Sequence, residues 1–218
     1  MGGETMAEND ARKLNRMFNR ISSLIATEKD YLTELDGAIG DADHGITMLL
    51  GFGAVSSELA RSDLDDMPPS AVMTIAASVF LNAVGASTGP LYATAFLRAA
   101  KALEARQSLD VAGQVAMLQA MALGIQERGK GQRGDKTMLD TWMPAAEAGG
   151  AALERASGPA ELWREVVAAG EGGAEATRSM VAVRGRAARL GERSLGHVDP
   201  GAASAVLILK AMAEVFAD

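Results

Sequence analysis

Apolar residues recur along the chain at the three- and four-residue spacings of amphipathic α-helices. The first apolar stripe consists of Leu14, Phe18, Ile21 and Ile25. Side chains at these spacings share one face of a helix, so the stripe predicts a first helix that ends near an acidic loop. Residues 71–84 are apolar on nearly every side, which predicts a buried central helix. No stretch of useful length alternates between apolar and polar residues, so we expect strands to be scarce.

Eight helical segments are predicted in all, separated by glycine, proline and charged residues. After the first helix, the predicted segments lie at 46–60, 71–84, 91–105 and 111–129, from about 135 onward, and at 161–185 and 201–217. We expect Ser108 or Asp110 to cap the fifth helix. Pro144 is expected to bend or end the first part of the sixth helix. Glycines at 170, 172 and 173 should weaken the seventh.

Composition indicates one domain built from closely packed helices. The chain has 218 residues, of which 48% are hydrophobic, and this is enough to bury one sizeable core. Aromatic residues make up only 4%, whereas small and aliphatic residues abound, which favours tight helix packing. We expect residues 1–10 to be a flexible N-terminus and residues 11–218 to form the domain.

Charge and residue usage exclude several classes of function. A net charge of −7 argues against nucleic acid and against an anionic membrane surface as partners. The chain has no cysteine and two histidines, which excludes disulfides, thiolate catalysis, and cysteine-rich or histidine-rich metal sites. The N-terminus has no apolar signal region, and no apolar run is long enough to span a membrane. We therefore expect a soluble, cytoplasmic protein.

Four glycine-rich segments lie between predicted helices. They are GDADHG at 40–45, GASTGP at 85–90, RGKGQRGDKT at 128–137 and GHVDPGAAS at 196–204. Three of them lead into a predicted helix start, where free backbone N–H groups bind phosphate and glycine permits close approach. Any one alone is more simply a helix C-cap or a turn. Four together favour an anion site at one end of a helical barrel or bundle.

The first of these segments is also rich in carboxylates. In the stretch LDGAIGDADHG at 35–45, Asp36, Asp41 and Asp43 fall within eight positions. Mg²⁺ prefers oxygen ligands and is commonly held by carboxylates together with phosphate, so the stretch predicts one or two such ions. The alternative is a solvated loop in which Asp43 caps the next helix. Neither an EF-hand nor a P-loop fits, because the required residues are missing at their fixed positions.

Five separated stretches resemble one known family. They are YLTELDGAIGDADHG, GASTGPLYATAFLRAAKA, ARQSL, RGKGQRGDKTMLDTWMP and GRAARLGERSLGHVDPGAAS, in the family's order between about residues 11 and 215. They resemble the nucleotide-binding L subunit of dihydroxyacetone kinase, whose family also supplies the C-terminal domain of single-chain kinases. The resemblance implies an all-α barrel of eight antiparallel helices. It also implies that ADP or ATP binds at one end with two Mg²⁺ ions.

The resemblance also assigns residues. The family's metal ligands match Asp36, Asp41 and Asp43. Its nucleotide-binding positions match His44, Gly45, Ile46, Thr47, Ala86, Ser87, Gly129, Met138, Arg186, Asp199, Pro200 and Gly201. Thr47 departs from the pattern, because many members carry asparagine there.

Some of these residues also have plain structural interpretations. His44 would pair with a carboxylate in a surface loop, Arg186 would lie on a solvated face, and Met138 would pack in the core. We expect His197 to order its turn and not to take part in chemistry.

The resemblance implies half of an enzyme. No side chains suited to a small ketose are evident, and the resemblance implies that substrate binds to a separate K-type subunit. No catalytic side chain is assigned, because the bound nucleotide would be the phosphoryl donor. Either ADP stays bound and is rephosphorylated by a histidine phosphocarrier subunit of M type, or ATP exchanges freely. A third possibility is a regulatory module that binds a transcription regulator.

Overall fold

The computed structural model describes residues 8–104, 106 and 108–217. Within these residues the chain forms eight α-helices and no β-strand. The helices are α1 (Asp10–Ile39), α2 (His44–Leu59), α3 (Pro69–Ala83), α4 (Thr88–Glu104), α5 (Val111–Gly129), α6 (Leu139–Glu154), α7 (Pro159–Ala176) and α8 (Pro200–Phe216). Two short 3₁₀ segments, Thr177–Ser179 and Ala187–Ser194, lie in the connection between α7 and α8. The predicted all-α fold and the order of its helices are confirmed.

One predicted boundary was wrong, and of the two alternatives predicted for Pro144, a bend or an end, the end is excluded. The seventh helix ends at Ala176 and does not continue to residue 185, because the chain tightens into the 3₁₀ turn Thr177–Ser179 and then becomes irregular. Pro144 does not end α6, which continues to Glu154. Proline leaves the carbonyl four residues earlier, that of Asp140, without its usual helical partner. Gly173 of α7 packs directly against this carbonyl, where any Cβ would collide with the oxygen.

Two helices begin at side chains typical of N-caps. Asp110 caps α5 by accepting the backbone N–H of Gly113 at 2.7 Å, as predicted. Asn9 caps α1 by accepting the N–H of Arg12 at 2.8 Å. Residues 1–7 of the predicted flexible terminus, and two residues of the ARQSL motif, Ala105 and Gln107, lie outside the described residues. The domain boundary near residue 11 stays a prediction.

The eight described helices pack in chain order around a closed ring. Each helix contacts the next one, and α8 contacts α1. The C-terminal ends of α1 and α5, the turn that follows α3, and the N-terminal ends of α2, α4, α6 and α8 meet around one pocket. Neighbouring helices therefore run in opposite directions, with the pocket at one end of the ring.

Aromatic side chains concentrate in the core between the helices. The cluster comprises Phe18, Phe52, Phe80, Tyr92, Phe96 and Trp142, contributed by α1, α2, α3, α4 and α6. The closest pair, Phe52 and Phe80, meets edge to face with ring centroids 5.1 Å apart. Such pairs add to the stabilisation that burial already gives. In the part of the chain that the structure describes, no helix combines the length and the apolar character of a membrane span.

Candidate functional site

A pocket of about 570 Å³ opens at the end of the ring where the four glycine-rich turns meet. All four turns lead into helix starts, those of α2, α4, α6 and α8, which is one more than predicted. Of the predicted site residues, the pocket is lined by Asp36, Asp41, Asp43, His44, Thr47, Ala86, Ser87, Gly129, Met138, Arg186, Asp199, Pro200 and Gly201. The fold thus brings residues more than 160 positions apart in the sequence to one place.

Two predicted residues do not line the pocket. Gly45 lies where α2 crosses α1, and a Cβ there would collide with the carbonyl oxygen of Lys29. Ile46 is 50% exposed. Gly45 therefore serves the close packing that places His44 and Thr47 on the pocket wall.

Asp36, in the last turn of α1, is held by the start of α2. Its Oδ2 accepts the backbone N–H groups of Asp43 at 2.9 Å and His44 at 3.2 Å. The chain passes so close to this carboxylate at Gly40 that a Cβ would collide with it. Asp43 occupies the N-cap position of α2, but its side chain makes no capping bond. Asp36 instead accepts the N–H groups of the cap residue itself and of the first helical residue, while the Asp43 carboxylate faces the pocket.

The three carboxylates form a compact oxygen cluster. One oxygen from each of Asp36, Asp41 and Asp43 lies within 4.8 Å of the others. Asp36 is buried, whereas Asp41 and Asp43 are about half exposed. Burial and the charge of Asp36 raise the pKa of Asp43. A set of carboxylate oxygens with solvent access matches the ligands that Mg²⁺ prefers.

Arg186 lies across the two exposed carboxylates. Its guanidinium pairs with Asp41, and its Nη1 lies 3.3 Å from Oδ2 of Asp43. Arg186 is carried by the long connection between α7 and α8, about half exposed at the rim of the pocket. It is therefore placed at the site and not on a remote solvated face.

His44 is buried beneath the carboxylates. Its Nε2 lies 2.9 Å from Oγ of Ser204, and that hydroxyl donates to the carbonyl of Gly201. With the serine hydroxyl donating to Gly201, the tautomer that carries its proton on Nε2 satisfies this contact by donating to Oγ. Burial lowers the pKa of His44 to about 4, so the ring is neutral near pH 7. Its partner is a serine on α8 and not a carboxylate of a surface loop.

The turn before α6 is fixed by two buried aspartates. Asp140 accepts the N–H groups of Gly134 at 2.6 Å and Thr137 at 2.8 Å. Asp135 accepts the N–H of Gln132 at 3.0 Å and pairs with Arg184, Nε to Oδ2, at 2.6 Å. Gly134 has φ +92°, a conformation that glycine adopts readily. Both carboxylates therefore fix the conformation of the turn, and its residues 136–138 line the pocket.

The start of α8 closes the pocket. Asp199 caps this helix through the N–H of Ala202 at 2.8 Å, and its own N–H donates to Oγ1 of Thr177 at 2.9 Å. Burial raises the pKa of Asp199 to about 7. Gly201 lies beside Met138, whose side chain is 8% exposed. His197 contributes its backbone carbonyl to the turn, accepting a hydrogen bond from Lys136.

Sequence reasoning missed several residues of the site. These are Lys136, Asp140, Arg184 and Ser204. The GDKT segment, a near match to a phosphate-binding loop, was the signal that could have pointed to Lys136. Asp140 accepts backbone N–H groups of the turn, and Ser204 contacts His44 from another helix. The spacing of these residues in the sequence does not predict either contact.

Comparison with known proteins places the chain in a family. The sequence matches the DAK2 domain over residues 38–214, which is most of the chain. The chain belongs to the DAK2 domain family. This DAK2 domain is 40% identical over 197 residues to the ADP-binding subunit of the PEP-dependent dihydroxyacetone kinase of Escherichia coli (strain K12). That match covers 89% of this chain and 91% of the relative.

Two further similarities agree with this membership. The ADP-binding subunit of the PTS-dependent dihydroxyacetone kinase of Lactococcus lactis subsp. lactis (strain IL1403) is 35% identical, over 91% of this chain and 94% of the relative. The crystal structure of the dihydroxyacetone kinase from C. freundii in complex with AMP-PNP and Mg²⁺ superposes with a TM-score of 0.72 at 22% identity. The DAK2 domain is covered to 98% and spans 36% of that kinase chain, so this likeness concerns the fold.

Proposed function

We propose that this DAK2 domain is the nucleotide-binding subunit of a dihydroxyacetone kinase. It would hold ADP or ATP with two Mg²⁺ ions in the pocket at the end of the helical ring. The observation that carries the proposal is the convergence of three carboxylates within 4.8 Å of one another on a pocket bordered by four helix N-termini. The names of its relatives, ADP-binding subunits of such kinases, support the same ligand.

The residues present fit metal ions. Asp36, Asp41 and Asp43 offer only oxygen atoms, and the backbone bonds to Asp36 fix its carboxylate in place before any ligand arrives. Bound Mg²⁺ neutralises charge on the phosphates during phosphoryl transfer. The acidic cluster would supply this binding site without any histidine or cysteine ligand.

The phosphates would lie against helix N-termini and the arginine. The turns at Ala86 and Ser87 and at Pro200 and Gly201 present the starts of α4 and α8 to the pocket. Free N–H groups and the helix dipole favour an anion at such positions. Arg186 pairs with the carboxylates that would bind metal, and it is therefore within reach of a metal-bound phosphate. Its fork of N–H donors matches phosphate oxygens.

The adenine would lie on the apolar side of the same pocket. Leu91, Ile125, Met138 and Leu139 line it there, beside the backbone of Gly129. A Cβ at Gly129 would approach the Leu91 side chain to 3.1 Å. Because Gly129 has no side chain, the space beside Leu91 stays open for a flat ring.

The ketose would be bound by a separate K-type subunit. The described pocket is accounted for by the groups proposed to bind metal, phosphate and adenine. A histidine phosphocarrier would rephosphorylate ADP while it stays on this chain. The names PEP-dependent and PTS-dependent, given to the two relatives, favour this over free exchange of ATP.

The nucleotide carried by the purified protein tests the first part of the proposal. The protein is denatured, and the released small molecules are separated by chromatography and compared with the protein concentration. Near-stoichiometric ADP is expected for a permanent cofactor, whereas an empty protein that binds ATP and ADP reversibly indicates exchange. The absence of any affinity for ADP by calorimetry, with Mg²⁺ present, would refute the proposal.

Reconstitution tests the second part. With ATP and dihydroxyacetone alone, this chain should produce no dihydroxyacetone phosphate. Turnover should appear when a K-type subunit is added together with a source of phosphate for the nucleotide. Sustained turnover by the isolated chain would contradict a division of labour between subunits.

A further inference from the structure

Lys136 is an unusual residue of the pocket. Its side chain is 1% exposed, although lysine is rarely buried without a compensating partner. Its backbone is left-handed, with φ +60°, a region that residues other than glycine seldom adopt. Burial also lowers the pKa of its ammonium group. The burial of the charge and the strained backbone both destabilise the folded state. Backbone strain of this kind is concentrated at functional sites.

The ammonium group of Lys136 joins two points that are far apart in the sequence. Nζ donates to the carbonyl of Thr177 at 2.6 Å and to the carbonyl of His197 at 2.5 Å. These two carbonyls mark the beginning and the end of the connection between α7 and α8, which we call the arginine loop (177–198). One buried side chain from outside the loop therefore ties its two ends together.

The neighbour of Lys136 holds the same loop farther out. The carboxylate of Asp135 pairs with Arg184, and its carbonyl accepts the N–H of Val183 at 3.3 Å. Between these anchors the loop contributes little to the core, with Ala182 and Ala187 packing on Ile39 in a small separate cluster. The turn before α6 thus adds polar ties to the arginine loop beyond the bonds that join the loop's own ends, from Asp199 to Thr177 and from Gly196 to Arg178.

The loop carries the arginine that faces the carboxylates. Arg186 lies two residues beyond Arg184 and reaches Asp41 and Asp43. It is about half exposed, and among the described residues the ion-pair partners of its guanidinium are Asp41 and Asp43. The position of the loop backbone therefore determines whether the guanidinium can reach these two carboxylates.

We propose that Lys136 is a positioning residue that places Arg186 at the metal and phosphate site by tying together the two ends of the arginine loop. This inference rests on the proposed function, because it assigns a role in the same pocket. It makes Lys136 act through Arg186 and not through direct contact with phosphate, although the lysine lies in a segment resembling a phosphate-binding loop.

Limited trypsin digestion of the nucleotide-free chain tests the tie itself. The arginine loop contains five trypsin sites, at Arg178, Arg184, Arg186, Arg189 and Arg193. Under native conditions, cleavage reports the population of the locally open form. In Lys136→Met, cleavage within the loop should be on the order of tenfold faster than in wild type. Lys101→Met, an exposed lysine on α4, is the matched control and should behave as wild type.

Mass spectrometry of the fragments separates local from global effects. Cleavage that rises at loop sites but not at Arg61 or Arg98 supports the inference. Equal acceleration at all sites, or no acceleration in the loop, would overturn it. If Lys136→Met does not fold, Lys136→Gln is used, since its side chain is one bond shorter and cannot reach both carbonyls.

A double-mutant cycle tests whether Lys136 acts through Arg186. Calorimetry measures the affinity for ADP in excess Mg²⁺ for wild type, Lys136→Met, Arg186→Gln and the double variant. Lys136→Met should weaken ADP by about tenfold in wild type and by less than about twofold when Arg186 is already replaced, because coupled residues are not additive. The same factor in both backgrounds would mean an independent role and would overturn the inference. If wild type binds no ADP, the proposed function fails while the trypsin result still decides the role of Lys136.

Discussion

The two ends of the helical ring use the same capping chemistry in different surroundings. At the end away from the pocket, Asp110 caps α5 with a side chain that is 61% exposed, and Asp65 pairs with Arg12 while 68% exposed. At the pocket end, Asp36 and Asp140 also accept backbone N–H groups, but both residues are buried. The first kind of aspartate ends a helix, whereas the second also fixes charge and backbone around a cavity.

Backbone conformation differs between the ends in the same sense. Among the described residues, the non-glycine positions with positive φ are Ala42, Ala86, Lys130, Lys136 and Ala156. All except Ala156 lie in the turns at the pocket end. Such conformations cost on the order of 1–3 kcal/mol each and cluster at functional sites. The packed helices therefore provide the stability of the fold, whereas backbone strain and buried charge are concentrated at the end that carries the pocket.

The largest expected effect is a difference in ADP affinity between a variant at the pocket end and a variant at the other end. Asp36→Ala removes a carboxylate of the acidic cluster and the acceptor for the first N–H groups of α2. We expect affinity for ADP in the presence of Mg²⁺ to fall by at least about 100-fold. Asp110→Ala, the matched cap at the other end, should lower the free energy of unfolding by about 1 kcal/mol and leave ADP affinity unchanged. Calorimetry and thermal denaturation measure both, and equal loss of affinity in the two variants would erase the distinction.

A smaller effect concerns pH and the partly buried cap of α8, Asp199. Burial raises the pKa of Asp199 to about 7, compared with about 3.9 for an unfolded chain. An acid with a raised folded pKa contributes stability that is complete below its unfolded pKa and is lost as the pH rises through 7. Asp199→Asn should therefore gain on wild type by roughly 5–10 °C in melting temperature between pH 5 and 8, because the two pKa values correspond to about 2.6 kcal/mol over this range. Parallel pH profiles for the two proteins would show that Asp199 stays ionised throughout.

The smallest effect should come from an exposed ion pair away from the pocket. Arg155 pairs with Glu165 across the turn between α6 and α7, with the arginine side chain 53% exposed. Exposed pairs contribute about 0.2–1 kcal/mol, so Arg155→Gln should lower the melting temperature by no more than roughly 4 °C. ADP affinity should not change. A large loss of affinity would mean that the two ends are coupled through the helices.

The sequence predicted the helices of the ring and most of the residues that line the pocket. Helix periodicity and glycine-rich turns are local signals, and they predicted the order of the helices. The resemblance supplied residues such as Ser87 and Asp199, and the fold brings them together. Whether these residues bind nucleotide or metal stays a prediction.

The remainder depends on contacts between distant segments. Periodicity extended α7 to residue 185 because nothing in the local pattern marks Ala176 as its end. Ser204 contacts His44 from another helix, and Lys136 contacts Thr177 and His197 from a separate turn. Such pairings are set by the packing of the whole ring, which local spacing does not encode.

The central claim is that the acidic cluster binds metal and nucleotide together, and Asp41→Asn tests it most directly. Asp41 is an exposed member of the cluster, so replacing it removes charge with little effect on the core. With free ADP about a thousandfold above its dissociation constant, binding stabilises the native state by about 4 kcal/mol, or on the order of 10 °C here. Thermal denaturation of wild type should show this rise with Mg²⁺ and ADP relative to EDTA, and Asp41→Asn should show almost none of it. An equal rise in both proteins would contradict the account, because the carboxylate would then be an ordinary solvated loop residue.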